Sequence, residues 1–214
     1  KDVIATAYFA YSTDLLSRMA RVIGKTEDAE YYEQLFKDIR DDFNKYFVSE
    51  NGMIKGNSQT AYLLALKMNL LPTEELRQKA AENLIKRLEA NNWHLSTGFV
   101  GVSYLCPVLS DMGYSDVAYQ LLLNQTYPSW LYSVVNGATT IWERWNSYTK
   151  ESGFGPVEMN SFNHYSYGSI GEWMYNHSAG IDVDTDNPGY KHILIKPEPN
   201  KAFSYVKGSY ESVY

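Results

Sequence analysis

Glu143 lies in the stretch TIWERWNSY, residues 140–148, flanked by Trp142 and Trp145 with Arg144 at its side. Indoles desolvate a carboxylate and disfavour its charged form, while an adjacent guanidinium favours it. A carboxyl group balanced in this way suits a general base, ionised yet basic enough to take a proton. The same residues also suit a plainer arrangement, a surface Glu–Arg neighbour pair with two tryptophans packed beneath it. A second candidate lies in SFNHYSYGSIGEW, residues 161–173. His164 falls at an expected helix start there, with Asn163, Tyr165 and Tyr167 around it. A helix N-terminus favours the neutral imidazole, which can donate or accept a hydrogen bond to a ligand hydroxyl. Gly168 and Gly171 are poor helix formers and mark a close approach to another helix; packing alone would also account for them. A third stretch, NNWHLSTGFVG, residues 91–101, puts Trp93, His94 and Thr97 on a connection, where binding groups concentrate.

Other chemistries are excluded. GFGP, residues 153–156, has no Lys or Ser/Thr after it and is no phosphate loop. Asp182, Asp184 and Asp186 alternate without the glycine and glutamate of a calcium loop. Cys106 is the single cysteine, so neither an internal disulfide nor a structural zinc site is expected. No metal and no cofactor is called for. Lys and Arg number 19 against 25 Asp and Glu, a net charge of −6 with no basic cluster, which argues against a nucleic-acid partner. No apolar run reaches about 18 residues, so no membrane span is expected. The Asn124 and Asn176 triplets match the glycosylation pattern, which matters only in a secretory host.

The elements that must position these residues are mostly helical. Ile4, Tyr8, Tyr11, Leu15, Met19 and Val22 step by three and four, predicting a helix with that stripe on its buried face. Gly24 ends it and Thr26 caps the next, whose stripe is Tyr32, Phe36, Ile39, Phe43 and Phe47. Asn51-Gly52 signals a turn. Ser58 and Thr73 are caps for a third and fourth helix, the latter with the stripe Leu76, Ala80, Leu84 and Leu88. A fifth covers Gly98 to Met112, kinked or restarted at Pro107, and Ser115 caps a sixth through Leu123. Helices paired by short links and uninterrupted by strands predict stacked hairpins, as a solenoid or an α/α toroid. The segment from Thr126 to Phe162 is irregular and holds three of the five tryptophans, the mark of a functional loop. A last helix is expected from His164 to Ser178. After Gly180, HILIKP and FSYVKGSYESVY read as β-strands. The first residues, KDVIATAYFAYS, already carry a helical pattern without Met, and the last fall inside a strand pattern. Both ends read as cuts, so the compartment stays open.

The stretches STGFVGVSYLCP, TIWERW, SFNHYSYGSIGEWMY and PGYKHILIKPEP, in this order and separation, resemble bacterial α-L-rhamnosidases of glycoside hydrolase family 78. The resemblance runs from about Gln59 to the C-terminus. It implies a mainly α chain: residues 1–180 as the C-terminal part of an (α/α)6 toroid, then residues 181–214 as the first strands of a β-sandwich. It implies an inverting glycosidase acting on terminal α-L-rhamnose, with no metal at the reaction centre. Glu143 matches the general base of the family and His164 a rhamnose-contacting histidine. Trp142, Trp145 and Thr97 are taken as residues of the sugar site. Inversion needs a general acid and a general base about 6.5–9.5 Å apart on opposite faces of the sugar. The family's general acid lies on an earlier, Asp- and Glu-rich segment that this sequence lacks, so the chain alone is expected to be inactive. Unpartnered apolar helix faces are expected to drive self-association. The alternatives are a toroidal glycosidase for another sugar and a non-catalytic sugar-binding or scaffold protein.

Overall fold

The computed structural model describes residues 1–213. The chain divides into two compact units, one of Lys1–Asn92 and one from Trp93 onward. The first unit opens with a helical hairpin of α1 (Asp2–Val22) and α2 (Thr26–Phe47). Its seam is built from small side chains. Ala7, Ala10, Thr13, Ser17 and Ala20 are the buried residues of α1, and the Ser17 hydroxyl donates across the seam to the Ala29 carbonyl at 2.8 Å.

This seam corrects the stripe read from the sequence. Ile4, Tyr8, Met19 and Val22 are exposed, Val22 at 85%, and Tyr11 and Leu15 are only half-buried. Two stripes with three–four spacing coexist on this helix, and periodicity cannot choose between them. Small residues let the two backbones approach closely, so α2 takes that face. On α2 the expected residues Phe36, Ile39 and Phe43 are buried. Thr26 is the first helical residue rather than the cap; Lys25 holds the cap position without a side-chain bond.

Helices α3 (Gln59–Lys67) and α4 (Glu74–Ala90) form the rest of this unit. Both caps are as read: the Ser58 hydroxyl accepts from the Ala61 N–H and the Thr73 hydroxyl from the Leu76 N–H, each at 3.2 Å. The side-chain bond satisfies one of the first-turn donors that a helix cannot pair internally. The Asn51-Gly52 turn has to be glycine at its second position. Gly52 has φ of 73°, and a Cβ there would sit 2.7–2.9 Å from Lys79 and Ala80 atoms of α4.

The second unit starts with α5 (Phe99–Asp111) and α6 (Ser115–Leu123). Helix α5 runs through Pro107 without a restart. Ser115 does not cap α6: Tyr114 holds that position, and the Ser115 hydroxyl bonds to Ser110 and to the Glu198 carboxylate. The irregular segment follows. It contains the short helix α7 (Trp130–Val135) and a ribbon of β1 (Tyr148–Thr149) with β2 (Gly153–Phe154), in register Tyr148↔Phe154.

The expected helix from His164 to Ser178 begins at Ser166 and is not one regular helix. It winds as a 3₁₀ turn (Ser166–Ser169), one α turn, α8 (Ile170–Trp173), and a π turn (Met174–Ser178). Trp173 is fully buried with its indole N–H on the Ser110 hydroxyl at 2.9 Å, and the Ser178 and Tyr119 hydroxyls are hydrogen-bonded at 2.9 Å. Both anchors hold the later half of the stretch; Gly168 and Gly171, poor helix formers, lie in the earlier half, where the winding is 3₁₀ before it turns α.

Strands β3 (Ile181–Val183) and β4 (Ile193–Ile195) pair antiparallel, Ile181 opposite Ile195. Gly180, with φ of 68°, brings the chain so close to Pro197 that a Cβ would overlap its backbone. The strand expected over FSYVKGSYESVY does not form: no ladder includes residues 203–213, and Tyr214 lies outside the described residues. A strand needs a neighbour for its backbone groups, and β-branched and aromatic content alone does not supply one. Glu198 ties this region down. Its N–H donates to the His177 carbonyl at 2.9 Å, and its carbonyl accepts from the Tyr119 hydroxyl at 2.8 Å.

Candidate active site

Two irregular segments run side by side to make the site. The His164 N–H donates to the Ile141 carbonyl, and the Glu143 N–H donates to the Ser161 carbonyl, each at 2.9 Å. Thr140 adds a hydroxyl bond to the Phe162 carbonyl. Residues 140–143 and 161–164, some twenty positions apart in sequence, are thereby laced together. Glu143 and His164 share one short ladder.

The Glu143 carboxylate is half-buried. One oxygen, Oε2, accepts the Ser161 N–H at 2.8 Å; among the described residues Oε1 has no hydrogen-bond donor. One carboxylate oxygen is therefore held while the other is available to accept a proton. The Arg144 charge is felt at the Tyr167 hydroxyl. Burial, then Tyr127, push that phenol up to about 12, with Arg144 lowering it and Glu143 raising it. Tyr167 thus stays a neutral hydroxyl throughout the physiological range.

The Nδ1 of His164 accepts the Ser166 N–H at 3.3 Å. That bond leaves the neutral imidazole's proton on Nε2, which becomes the donor. Two rings lie parallel to it: Phe99 with centroids 4.7 Å and planes 9° apart, and Tyr165 with centroids 5.5 Å and planes 7° apart.

Trp145 stacks flat on Tyr167, centroids 3.8 Å and planes 5° apart, and gives its indole N–H to the Thr97 carbonyl at 3.1 Å. Trp130 meets the Trp145 ring edge-on and bonds through its own N–H to the Tyr167 carbonyl at 2.8 Å. Trp142 belongs elsewhere. It is 7% exposed and packs edge-to-face on Phe162 and Tyr148.

Of the residues singled out in the sequence, the structure gathers Glu143, His164, Trp145 and Thr97 into one connected set. Trp142 sits in a separate ring cluster. Thr97 is 2% exposed, and it enters the set through its backbone carbonyl; its hydroxyl is buried with no partner among the described residues. Trp93 and His94 are engaged instead with the Asn124–Thr126 turn, His94 to the Thr126 hydroxyl at 2.7 Å. Phe99 and Trp130 escaped the sequence reading. Phe99 lies in STGFVGVSYLCP and Trp130 in the irregular segment from Thr126 to Phe162, but apolar rings near a helix start look like core, and only their contacts reveal otherwise. Among the described residues no group of three His, Cys, Asp or Glu side chains could hold a metal ion, and no helix is long and apolar enough to cross a membrane.

Residues 1–178 match the family model of the bacterial alpha-L-rhamnosidase 6 hairpin glycosidase domain, and residues 180–214 match that of the bacterial alpha-L-rhamnosidase C-terminal domain. The chain belongs to the bacterial α-L-rhamnosidase family. It is 50% identical over 214 residues to an α-L-rhamnosidase of Streptomyces avermitilis, a match covering all of this chain and 20% of that protein. It is 45% identical over 215 residues to an α-L-rhamnosidase of Formosa agariphila, covering 100% of this chain and 23% of that one. The solved structure of Streptomyces avermitilis α-L-rhamnosidase complexed with L-rhamnose aligns with a TM-score of 0.87 at 52% identity, over 92% of this chain and 19% of that chain. The chain spans about a fifth of the length of the curated relatives it matches. Its helical hairpins followed by short strands have the fold of the rhamnosidase structures, as the resemblance implied.

Proposed function

We propose that this chain is the part of an inverting α-L-rhamnosidase that carries the general base, and that the base is Glu143. The observation that supports this reading is the asymmetry of its carboxylate, one oxygen held by the Ser161 N–H and the other open. A base fixed in this way addresses water from one oxygen only and with one orientation. His164, with its proton on Nε2, donates to a rhamnose hydroxyl. Trp145 supplies a flat apolar wall that complements the sugar's methyl and C–H face, Trp142 backs the ladder behind Glu143, and Thr97 fixes the Trp145 indole. The general acid comes from outside these residues, on the opposite face of the sugar at about 6.5–9.5 Å. Residues 1–180 are then the C-terminal part of the toroidal catalytic domain and 181–214 the beginning of the β-sandwich. The family matches, which change between residues 178 and 180, support that boundary.

The test is Glu143→Gln in the full-length enzyme, assayed on an aryl α-L-rhamnoside. Removing a general base lowers kcat by about 10²–10⁴-fold. Turnover within a few-fold of the unmodified enzyme would remove Glu143 from that role. The same reading makes the large apolar side chains of α1, Phe9, Met19 and Val22 among them, a surface through which isolated copies of this chain associate. Static light scattering should show mass rising with concentration; a monomer throughout would count against it.

A further inference from the structure

The turn Thr97–Gly98–Phe99 holds both arms of the site. At its first residue, the Thr97 carbonyl accepts the Trp145 indole N–H at 3.1 Å. At its last, the Phe99 ring lies parallel to the His164 imidazole, 4.7 Å away with planes 9° apart. Phe99 also meets the Tyr167 ring at 5.3 Å, the same ring on which Trp145 stacks. Two segments joined by a short irregular ladder and by ring contacts thus share a further support, which comes from the start of α5.

Burial does not account for Phe99. The residue is 42% exposed, and it begins a helix whose buried residues are Gly101, Val102, Leu105, Cys106, Val108, Leu109 and Ser110. Its flat contact is with a polar ring that has one nitrogen already committed. The Ser166 N–H fixes which edge of the imidazole faces inward, and a hydrogen bond of that kind still allows the ring to rock about the donor direction. The parallel contact with Phe99, with the Tyr165 ring also parallel, removes that rocking. Nε2–H is then held in one direction.

We propose that Phe99 is a positioning residue. Its ring sets the plane of the His164 imidazole and thereby aims Nε2–H at the substrate hydroxyl. This rests on the rhamnose-contacting role proposed for His164 and is independent of which group is the base. Because Phe99 acts on a binding donor, its loss weakens sugar binding more than it slows turnover.

The test uses the full-length enzyme and four variants: Phe99→Leu, Phe99→Tyr, His164→Ala and the Phe99→Leu/His164→Ala pair. Leucine keeps the apolar volume and removes the flat face, so folding is preserved while stacking is lost. Phe99→Leu should raise KM for an aryl α-L-rhamnoside and the Kd for L-rhamnose by calorimetry about three- to tenfold, with kcat within about twofold. Phe99→Tyr should restore both. In the His164→Ala background Phe99→Leu should have no further effect on Kd, since the group it orients is gone. A full additional loss in that background, or a tyrosine as harmful as leucine, overturns the proposal. Glu143→Gln run alongside keeps the two claims apart. Retained turnover there defeats the general-base assignment and leaves the coupling of residues 99 and 164 in Kd standing, whereas an absent coupling defeats only the role of Phe99.

Discussion

Trp142 and Trp145 stand three residues apart around one glutamate, and the chain uses them in opposite ways. Trp145 stacks flat on Tyr167 and donates its indole N–H to Thr97, which brings it into the set that contains His164. Trp142 is buried edge-to-face against Phe162 and Tyr148, and those rings in turn meet Phe154 of the β1–β2 ribbon. One indole therefore joins the ring set that reaches His164, and the other packs a segment with almost no regular hydrogen-bonded structure. Helices carry their own backbone bonds. A loop of this length does not, and it depends on ring contacts and on individual side-chain bonds to keep one conformation.

The largest expected effect tests this division on the Trp142 side. Trp142→Ala removes a nearly buried indole from the ring cluster that packs this irregular segment. The cost should be about 3–5 kcal/mol of stability, the range for large aromatic truncations in packed interiors. A thermal or urea melt of the full-length enzyme reads it, in the transition that carries this unit. Activity measured well below that transition should fall less than stability does. A variant that melts normally yet loses its kcat/KM would show that Trp142 acts on substrate, and the contrast between the two indoles would fail.

The sequence made some of this legible and hid the rest for physical reasons. Caps at Ser58 and Thr73 were readable because a hydroxyl before a helix has one local job. The α2 stripe was readable because its large apolar residues are also the buried ones. The α1 stripe was not: the seam with α2 selects three alanines, a threonine and a serine, and an equally periodic row of large residues lies outside it. At the site, Glu143 and His164 were legible by type and motif, and so was Trp145. Their partners were not, because Ser161 contributes only an amide and Thr97 only a carbonyl, atoms that every residue has. Phe99 hid for another reason. Its role is a ring plane set against a residue 65 positions later, which no local pattern encodes.

The smallest expected effect sharpens the Trp145 side. Trp145→Phe keeps a flat ring on Tyr167 and deletes the one bond to the Thr97 carbonyl, so stacking and hydrogen bonding separate. Leaving a buried acceptor unpaired costs about 1–2 kcal/mol, well below the truncation of Trp142. The consequence for function should be larger than that cost suggests. Without the bond the ring is free to slide over Tyr167, and Thr97, two residues before Phe99, loses its hold on this arm of the site. KM for the aryl rhamnoside should rise a few-fold while kcat changes little, since a wall binds ground state and transition state alike. The bond shapes the site only if that KM shift appears together with a small stability loss. A stability loss with KM unchanged would make it a structural tie and would place Trp145 on the same footing as Trp142.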